Sequence, residues 1–218
     1  FRDSPLGRLP RGWSVPAVGD FAQVTKLAGF EYTNLVRYVP HGEVIAIRPM
    51  NIKREHLDLT EVQRIERSVS NRLPRSQVRA GDVLLTYIGA YIGEAILIDV
   101  SDKFHLAPNI CRITPHSLAK SEWVLWTLRH NTVSRQISRF TSVTATPSLT
   151  MRMIRQLRIP VPGQKMEQRR AIERIRQCVD RIEAESVGCQ KLRTLKQGLT
   201  DDLLTGRVRV PLPAEEGP

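Results

Sequence analysis

The sequence predicts an α+β fold in which a mixed α/β domain with several short strands precedes one long C-terminal coiled-coil helix. Two observations carry this prediction. Residues 164–206 contain no proline and space their apolar residues alternately by three and four, which is typical of a helix seam that packs against another helix. Before them, short apolar runs alternate with turns rich in glycine and proline, as short strands require.

The length and composition fit one ordinary domain with an appendage. The chain has 218 residues, of which 41% are hydrophobic, enough for a packed core. It contains no run of about 18 apolar residues, so we expect neither a membrane-spanning helix nor a membrane partner. The N-terminal segment lacks the apolar stretch of a signal peptide. Cys111, Cys178 and Cys189 form no CxxC motif, and we interpret them as reduced thiols of a cytoplasmic protein.

The charge indicates the kind of partner. A net charge of +11 with a pI near 10.2 is typical of proteins that bind a polyanion, and the excess is spread over the whole chain. The alternative is compositional, because arginine far outnumbers lysine, as a GC-rich genome alone can produce.

The first half of the chain shows strand patterns of varying clarity. Residues 15–24 predict a short helix or strand entry, and residues 35–50 predict short strands broken at Pro40–His41–Gly42. Residues 54–70 are ambiguous. Residues 78–114 predict an all-β passage: a turn at 78–82, strands at 83–86 and 94–99 around a glycine loop at 87–93, and a further strand at 109–114.

The second half is mostly helical. Residues 121–139 predict one helix with Ser121 as its N-cap. A polar loop at 141–150, a short amphipathic segment at 151–157 and a strand at 158–162 follow. We expect Trp13, Trp123 and Trp126 to belong to the core.

The long helix carries a narrow apolar seam whose phase shifts near Val187–Gly188, as at a stutter or kink. At about 1.5 Å per residue the helix spans roughly 60 Å, too long to bury its seam against one small domain. Since the chain has no second helix of similar length, we expect the partner helix to belong to another chain. The predicted contact residues are Ile172, Ile175, Val179, Ile182, Leu192, Leu195 and Leu199.

Motifs for catalysis and for metal binding are missing from the sequence. The five histidines have no metal-ligand spacing, and the chain lacks GxSxG, HExxH and GxxxxGK[ST]. It also lacks a glycine-rich loop that would bind S-adenosylmethionine. We therefore predict a binding protein without a cofactor or a metal of its own.

Polar and aromatic residues on predicted loops are the candidate contacts to this polyanionic partner. For each of them a structural role is the competing interpretation: a solvated basic turn at 51–54, core packing for the tyrosines, and strand structure at 109–112. The glycines of the 87–93 loop are expected to serve turn geometry. The candidates are Asn51, Lys53, Arg54, Tyr87, Tyr91, Asn109, Arg112, Thr144, Thr146 and Ser148.

Four stretches in order resemble one half of the DNA-specificity subunit of a type I restriction–modification system. They are SPLGRLPRGW with the following VGD, RAGDVLLTYIGAYIGEAILI at 79–98, LRIPVP with EQRRAI at 157–172, and LKQGLTDDLLTGRVRV at 195–210. The resemblance implies a target-recognition domain over residues 1–162, a spacer and dimerisation helix over 163–206 and a tail over 207–218.

The resemblance also implies partners. The chain would bind double-stranded DNA and a methyltransferase subunit, with a restriction subunit in systems that have one. S-adenosylmethionine, ATP and Mg²⁺ would be bound by those subunits. The family pairs two recognition domains and two spacer helices in one chain, so this half would need an antiparallel second copy or a second specificity half.

Two other functions fit the residues alone. A basic coiled-coil regulator would bind DNA without restriction partners. A protein-interaction scaffold would need neither polar loops nor net charge, and would not bind DNA at any salt concentration.

Overall fold

Ten strands and seven helices follow one another in the part of the chain that the computed structural model describes, residues 1–54, 56–116, 120–141 and 147–210. The chain divides into two units, residues 1–168 and residues 169–218. The first unit holds every strand, and the second consists mainly of the long helix. In the described residues, no helix is both long and apolar enough to span a membrane.

The strands are short, as predicted. They are β1 (Trp13–Ser14), β2 (Ala22–Lys26), β3 (Val44–Ile47), β4 (Gln63–Ile65), β5 (Gln77–Val78), β6 (Val83–Thr86), β7 (Ala95–Leu97), β8 (Phe104–Leu106), β9 (Ile110–Pro115) and β10 (Val161–Pro162).

The helices are short except for the last. They are α1 (Val18–Phe21), α2 (Gly29–Leu35), α3 (Arg67–Arg72), α4 (Ser121–Arg129), α5 (Asn131–Thr141), α6 (Met151–Gln156) and α7 (Lys165–Leu204). The Thr150 hydroxyl accepts a hydrogen bond from the Met153 amide at 3.2 Å and so caps the start of α6.

The first unit contains two four-stranded sheets and the antiparallel two-stranded pair β1-β10. One has the order β2-β9-β6-β7 and is antiparallel throughout. The other has the order β4-β3-β8-β5, with β3 and β8 parallel. Ile47, Ile65, Leu84, Leu106 and Ile110 come from both sheets and are almost completely buried in one core. Each such side chain stabilises the fold by about 1.5–3 kcal/mol relative to an exposed one.

The sequence places the clearest elements correctly. The strands at 83–86, 94–99 and 109–114 appear as β6, β7 and β9, and the segment at 151–157 is helical. The predicted long helix is confirmed as α7, which continues without interruption through Gly188. Trp123 is buried, whereas Trp13 and Trp126 are half-buried, and the Trp13 and Trp123 rings pack edge to face at 5.6 Å.

The prediction of one helix over 121–139 is wrong. The helix ends at Arg129 because His130 has an extended backbone, with ψ of 146°. Nδ1 of His130 then accepts the Thr132 amide hydrogen bond at 3.2 Å, which starts α5. Lys120 rather than Ser121 takes the N-cap position of α4.

Two further elements differ from the sequence-based expectation. Residues 35–50 form only one strand, β3, and a helix, α2, ends at Leu35. Strand β8 at Phe104–Leu106 was not predicted. It has only three residues, FHL, which is too short a run for a strand pattern to be recognised.

Candidate nucleic-acid interface

Charged and aromatic side chains lie together at one end of the antiparallel sheet β2-β9-β6-β7. Strand β2 ends there at Lys26, β6 ends there at Thr86, and β9 begins there at Ile110, because neighbouring strands run in opposite directions. The glycine loop over residues 87–93 joins β6 to β7 at the same end. This end is therefore built from three chain segments that are far apart in sequence.

The glycine loop has a fixed backbone. Gly89 and Gly93 have φ of +96° and +90°, in the left-handed region that other residues rarely adopt. The Gly93 amide donates to the Thr86 carbonyl and the Thr86 amide to the Glu94 carbonyl, both at 2.9 Å. These bonds hold Tyr91, at the tip of the loop, in a defined and exposed position.

A second loop, residues 48–61, reaches the glycine loop. The Lys53 ammonium lies 5.7 Å from the centre of the Tyr91 ring, a cation–π distance, and 3.9 Å from the Asp58 carboxylate. Lys26 lies at the same distance, 5.7 Å, from the Tyr87 ring. Two lysines are thus held in place by aromatic rings at the end of the sheet.

A third segment, residues 147–149, runs beside the glycine loop. The Gly89 amide donates to the Pro147 carbonyl at 3.0 Å, and the Leu149 amide donates to the Tyr87 carbonyl at 2.8 Å. Ser148, which bridges to Ile88, is exposed. We use the name sheet-end surface for Lys26, Lys53, Arg54, Tyr91 and Ser148.

A groove of about 340 Å³ lies next to the sheet-end surface, between the glycine loop and α5. Helix α5 contributes polar residues at the spacing of one helix face. Arg54 closes the groove from the second loop and Pro147 from the third segment. The polar residues from α5 are Asn131, Ser134, Ser138 and Thr141.

Four of the predicted contact residues have structural roles. The Asn51 amide nitrogen donates to the carbonyls of Asp58 and Glu61, both at 2.9 Å, and its oxygen accepts from the Arg48 amide at 3.0 Å. Asn51 is buried, and it holds the 48–61 loop instead of pointing outward. Tyr87 is also buried, and burial raises the pKa of its hydroxyl.

The other two structural residues lie on or next to β9. Asn109 has a φ of 71° and accepts the Tyr87 amide hydrogen bond at 2.9 Å through its carbonyl, so it forms the turn before the strand. The Arg112 guanidinium donates to the Gln77 carbonyl and lies 3.8 Å from the Asp82 carboxylate. Its side chain is mostly buried and ties β9 to β5.

Thr144 and Thr146 lie outside the described residues, so their predicted DNA contact stays a prediction. The structure brings four of the other candidates together on the sheet-end surface: Lys53, Arg54, Tyr91 and Ser148. Sequence analysis missed Lys26 and the polar face of α5. That face could have been predicted from the sequence, because Asn131, Ser134, Ser138 and Thr141 are spaced by three and four residues.

The predicted seam residues lie on α7. Ile172 is buried, Ile175 and Val179 are half-buried, and the other four are exposed. Among the described residues, no group of three or more His, Cys, Asp or Glu side chains has the geometry of a metal site.

The family model for the type I restriction modification DNA specificity domain matches residues 10–191. The type I restriction enzyme MjaVIII specificity subunit of Methanocaldococcus jannaschii is 21% identical over 215 residues, which cover 96% of this chain and 49% of the relative.

Solved structures show the same fold. A chain from a structure of the type I R-M system has a TM-score of 0.63 at 19% identity, over 91% of this chain and 47% of that chain. The HsdS subunit from Thermoanaerobacter tengcongensis has a TM-score of 0.59 at 16% identity, over 91% and 46%. The chain spans about half the length of the relatives it matches. Because the family match extends over most of its length, the chain belongs to the type I restriction modification DNA specificity domain family.

Proposed function

We propose that the chain is a DNA-recognition subunit of a type I restriction–modification complex and that residues 1–168 read one half of a two-part target. The observation that carries this proposal is the sheet-end surface, where Lys53 lies over the exposed Tyr91 ring, Lys26 lies over the neighbouring Tyr87 ring and Arg54 lines the adjoining polar groove. The excess of positive charge over the chain supports a polyanionic ligand.

The two parts of this site have different tasks. Lysine and arginine on the sheet-end surface would bind phosphate oxygens, which set the position of the duplex but carry no sequence information. The groove would read base edges, since Asn131 matches the donor and acceptor pattern of adenine and Arg54 that of guanine. Asn51, Asn109 and Arg112 position the loops and contact no base.

Catalysis in this proposal belongs to other subunits. A methyltransferase subunit would flip and methylate the target adenine, and a restriction subunit would cleave the DNA in systems that have one. Those subunits would bind S-adenosylmethionine, ATP and Mg²⁺. The free Cys111, Cys178 and Cys189 fit a reducing compartment, and we propose that the complex works in the cytoplasm.

DNA binding as a function of salt tests the phosphate contacts. We expect Lys53→Ala and Arg54→Ala each to weaken binding of duplex DNA and to lower the slope of log K against log salt by about 1. Fluorescence anisotropy of a labelled random-sequence duplex measures both quantities. Arg79→Ala is the matched control, because Arg79 is exposed in the turn before the other end of β6.

An unchanged slope in both variants would contradict the role of the sheet-end surface. Equal losses in Lys53→Ala, Arg54→Ala and Arg79→Ala would show binding through net charge alone. No DNA binding at any salt concentration would favour the protein-interaction scaffold.

A further inference from the structure

The groove beside the sheet-end surface contains a carboxylate. Among the described residues that line the groove, Glu94 is the only acidic one, and Arg54 and Arg129 are the basic ones. A carboxylate repels phosphate oxygens, so Glu94 does not serve the phosphate contacts that we propose for the sheet-end surface. A negative charge in a site for a polyanion therefore indicates a different task.

The backbone at Glu94 is fixed on both sides. The Glu94 amide donates to the Tyr91 carbonyl at 3.1 Å, and the Glu94 carbonyl accepts from the Thr86 amide at 2.9 Å. The carbonyl of the next residue, Ala95, accepts hydrogen bonds from Nε and Nη2 of Arg129 at 3.2 and 3.0 Å. The side chain thus starts from a rigid point in the wall of the groove, as precise recognition requires.

The two arginines of the groove do not neutralise this carboxylate. Arg129 uses two nitrogens for the Ala95 carbonyl, and its guanidinium lies 5.3 Å from the centre of the Trp126 ring. In the part of the chain that the structure describes, no lysine, arginine or histidine forms an ion pair with Glu94 within 4.0 Å. Glu94 is half-buried in the groove wall, so a ligand can reach its carboxylate.

The four bases differ in what they offer to a carboxylate, which can only accept hydrogen bonds. In the major groove guanine presents two acceptors, thymine presents an acceptor and a methyl group, and adenine presents a donor next to an acceptor. Cytosine presents its N4 amine as a donor with no acceptor beside it. A carboxylate is therefore complementary to cytosine, whereas acceptors on the other three bases repel it.

We infer that Glu94 is a specificity-determining residue whose carboxylate accepts a hydrogen bond from the N4 amine of a cytosine in the half-site. The guanine of the same base pair presents N7 and O6 as acceptors, which suit the guanidinium of Arg54 in the same groove. The inference rests on the proposed function. It adds that the half-site contains a C·G pair at the position that Glu94 reads.

This role predicts an effect that a purely structural role does not. Replacement of the carboxylate removes the hydrogen bond to cytosine, and it also removes the repulsion of phosphates. Glu94→Gln should therefore lose the preference for cytosine and bind random-sequence DNA at least as tightly as the wild type. If Glu94 only supported the fold, its replacement would weaken binding to every duplex by the same factor.

The experiment starts from the duplex that the full wild-type chain selects from a randomised pool. Each cytosine is replaced in turn by thymine, which exchanges the N4 amine for the O4 acceptor and adds a methyl group, or by 5-methylcytosine, which adds the methyl group alone. Fluorescence anisotropy measures the affinities. At one position we expect the wild type to bind the thymine duplex about 10-fold more weakly, and the 5-methylcytosine duplex as tightly as the original.

The variants locate this preference on one side chain. We expect Glu94→Ala to bind the cytosine and thymine duplexes equally, and Glu94→Gln to favour adenine, whose N6 and N7 match an amide. Asp99→Ala is the matched control, because it removes one negative charge from an exposed position beyond the other end of β7. It should keep the wild-type preference. Thermal melting followed by circular dichroism checks that all three variants are folded.

The remaining outcomes contradict the inference. A cytosine preference that survives in Glu94→Ala and Glu94→Gln would overturn it, and so would an equal loss of affinity for every duplex. A selected site without a C·G pair, or equal rejection of thymine and 5-methylcytosine by the wild type, would overturn it and leave the proposed function intact, because sequence-specific binding remains. A wild-type chain without any sequence preference would refute the proposed function as well.

Discussion

Individual buried side chains hold in place the loops that carry the sheet-end surface. Asn51 is buried, and its amide connects three points of the 48–61 loop that carries Lys53 and Arg54. The loop is thereby fixed before DNA arrives, which lowers the entropy cost of binding.

We expect Asn51→Ala to reduce the free energy of unfolding by about 1–3 kcal/mol, because it removes three hydrogen bonds to partly buried backbone groups. Urea denaturation followed by circular dichroism measures the change. Asn34→Ala is the control, since Asn34 is exposed on α2. Equal stability of the two variants would show that Asn51 does not hold the loop.

His105 is the second residue with a defined effect. It is fully buried in β8, and burial is the main cause that lowers the pKa of its imidazole. The unfolded chain therefore binds a proton more readily than the folded one. The stability that depends on neutral His105 is present above the ordinary pKa of about 6.5 and is lost as the pH falls below it.

We expect the melting temperature of the wild-type chain to fall between pH 7 and pH 5, and to fall less steeply in His105→Gln, which cannot gain a proton. Differential scanning calorimetry across this range measures both slopes. His41→Gln, with an exposed side chain, is expected to keep the wild-type slope. Parallel slopes for all three proteins would contradict the role of His105.

At the scale of elements, α7 combines a predictable helix with a row of exposed apolar side chains. Four of its seven predicted seam residues are exposed, so their energetic value appears only when a partner helix is present. An apolar side chain at such a seam contributes to association, whereas one on the opposite face does not.

Leu195→Glu should therefore convert a dimer into a monomer, while Val187→Glu should leave it a dimer. Both residues are exposed on α7, at 67% and 53%, but only Leu195 is among the predicted seam residues. Size-exclusion chromatography with light scattering separates the two masses. Dissociation by both substitutions would mean that the seam is placed on the wrong face.

Elements that are defined by residues close together in the sequence were predicted correctly. Strands β6, β7 and β9 are bounded by turn residues, and α7 follows from its spacing. The break between α4 and α5 was missed because His130, a residue compatible with a helix, caps the next helix instead. Strand β8 was missed because its three residues are too few to show a strand pattern.

The candidate site depends on contacts across the chain, and the sequence revealed only part of it. Lys53, Arg54, Tyr91 and Ser148 were chosen as polar loop residues, and the fold brings them together. Asn51 and Arg112 have the same chemistry and were chosen for the same reason, yet they point inward. Composition does not distinguish the two groups, since the direction of a side chain follows from tertiary structure.

At the scale of the whole molecule, the chain spans about half the length of its relatives, and we propose that it supplies one recognition unit and one half of a helix pair. Two copies joined through α7 would restore the two-part arrangement with identical halves. Identical halves have a direct consequence, because two-fold related proteins read two-fold related DNA sequences.

Selection of bound duplexes from a randomised pool, at low salt where phosphate contacts are strongest, tests this account most directly. Sequencing of the DNA bound by the full chain should reveal two short half-sites related by two-fold symmetry and separated by one fixed gap. Enrichment of a single contiguous site, or of no sequence at all, would contradict it.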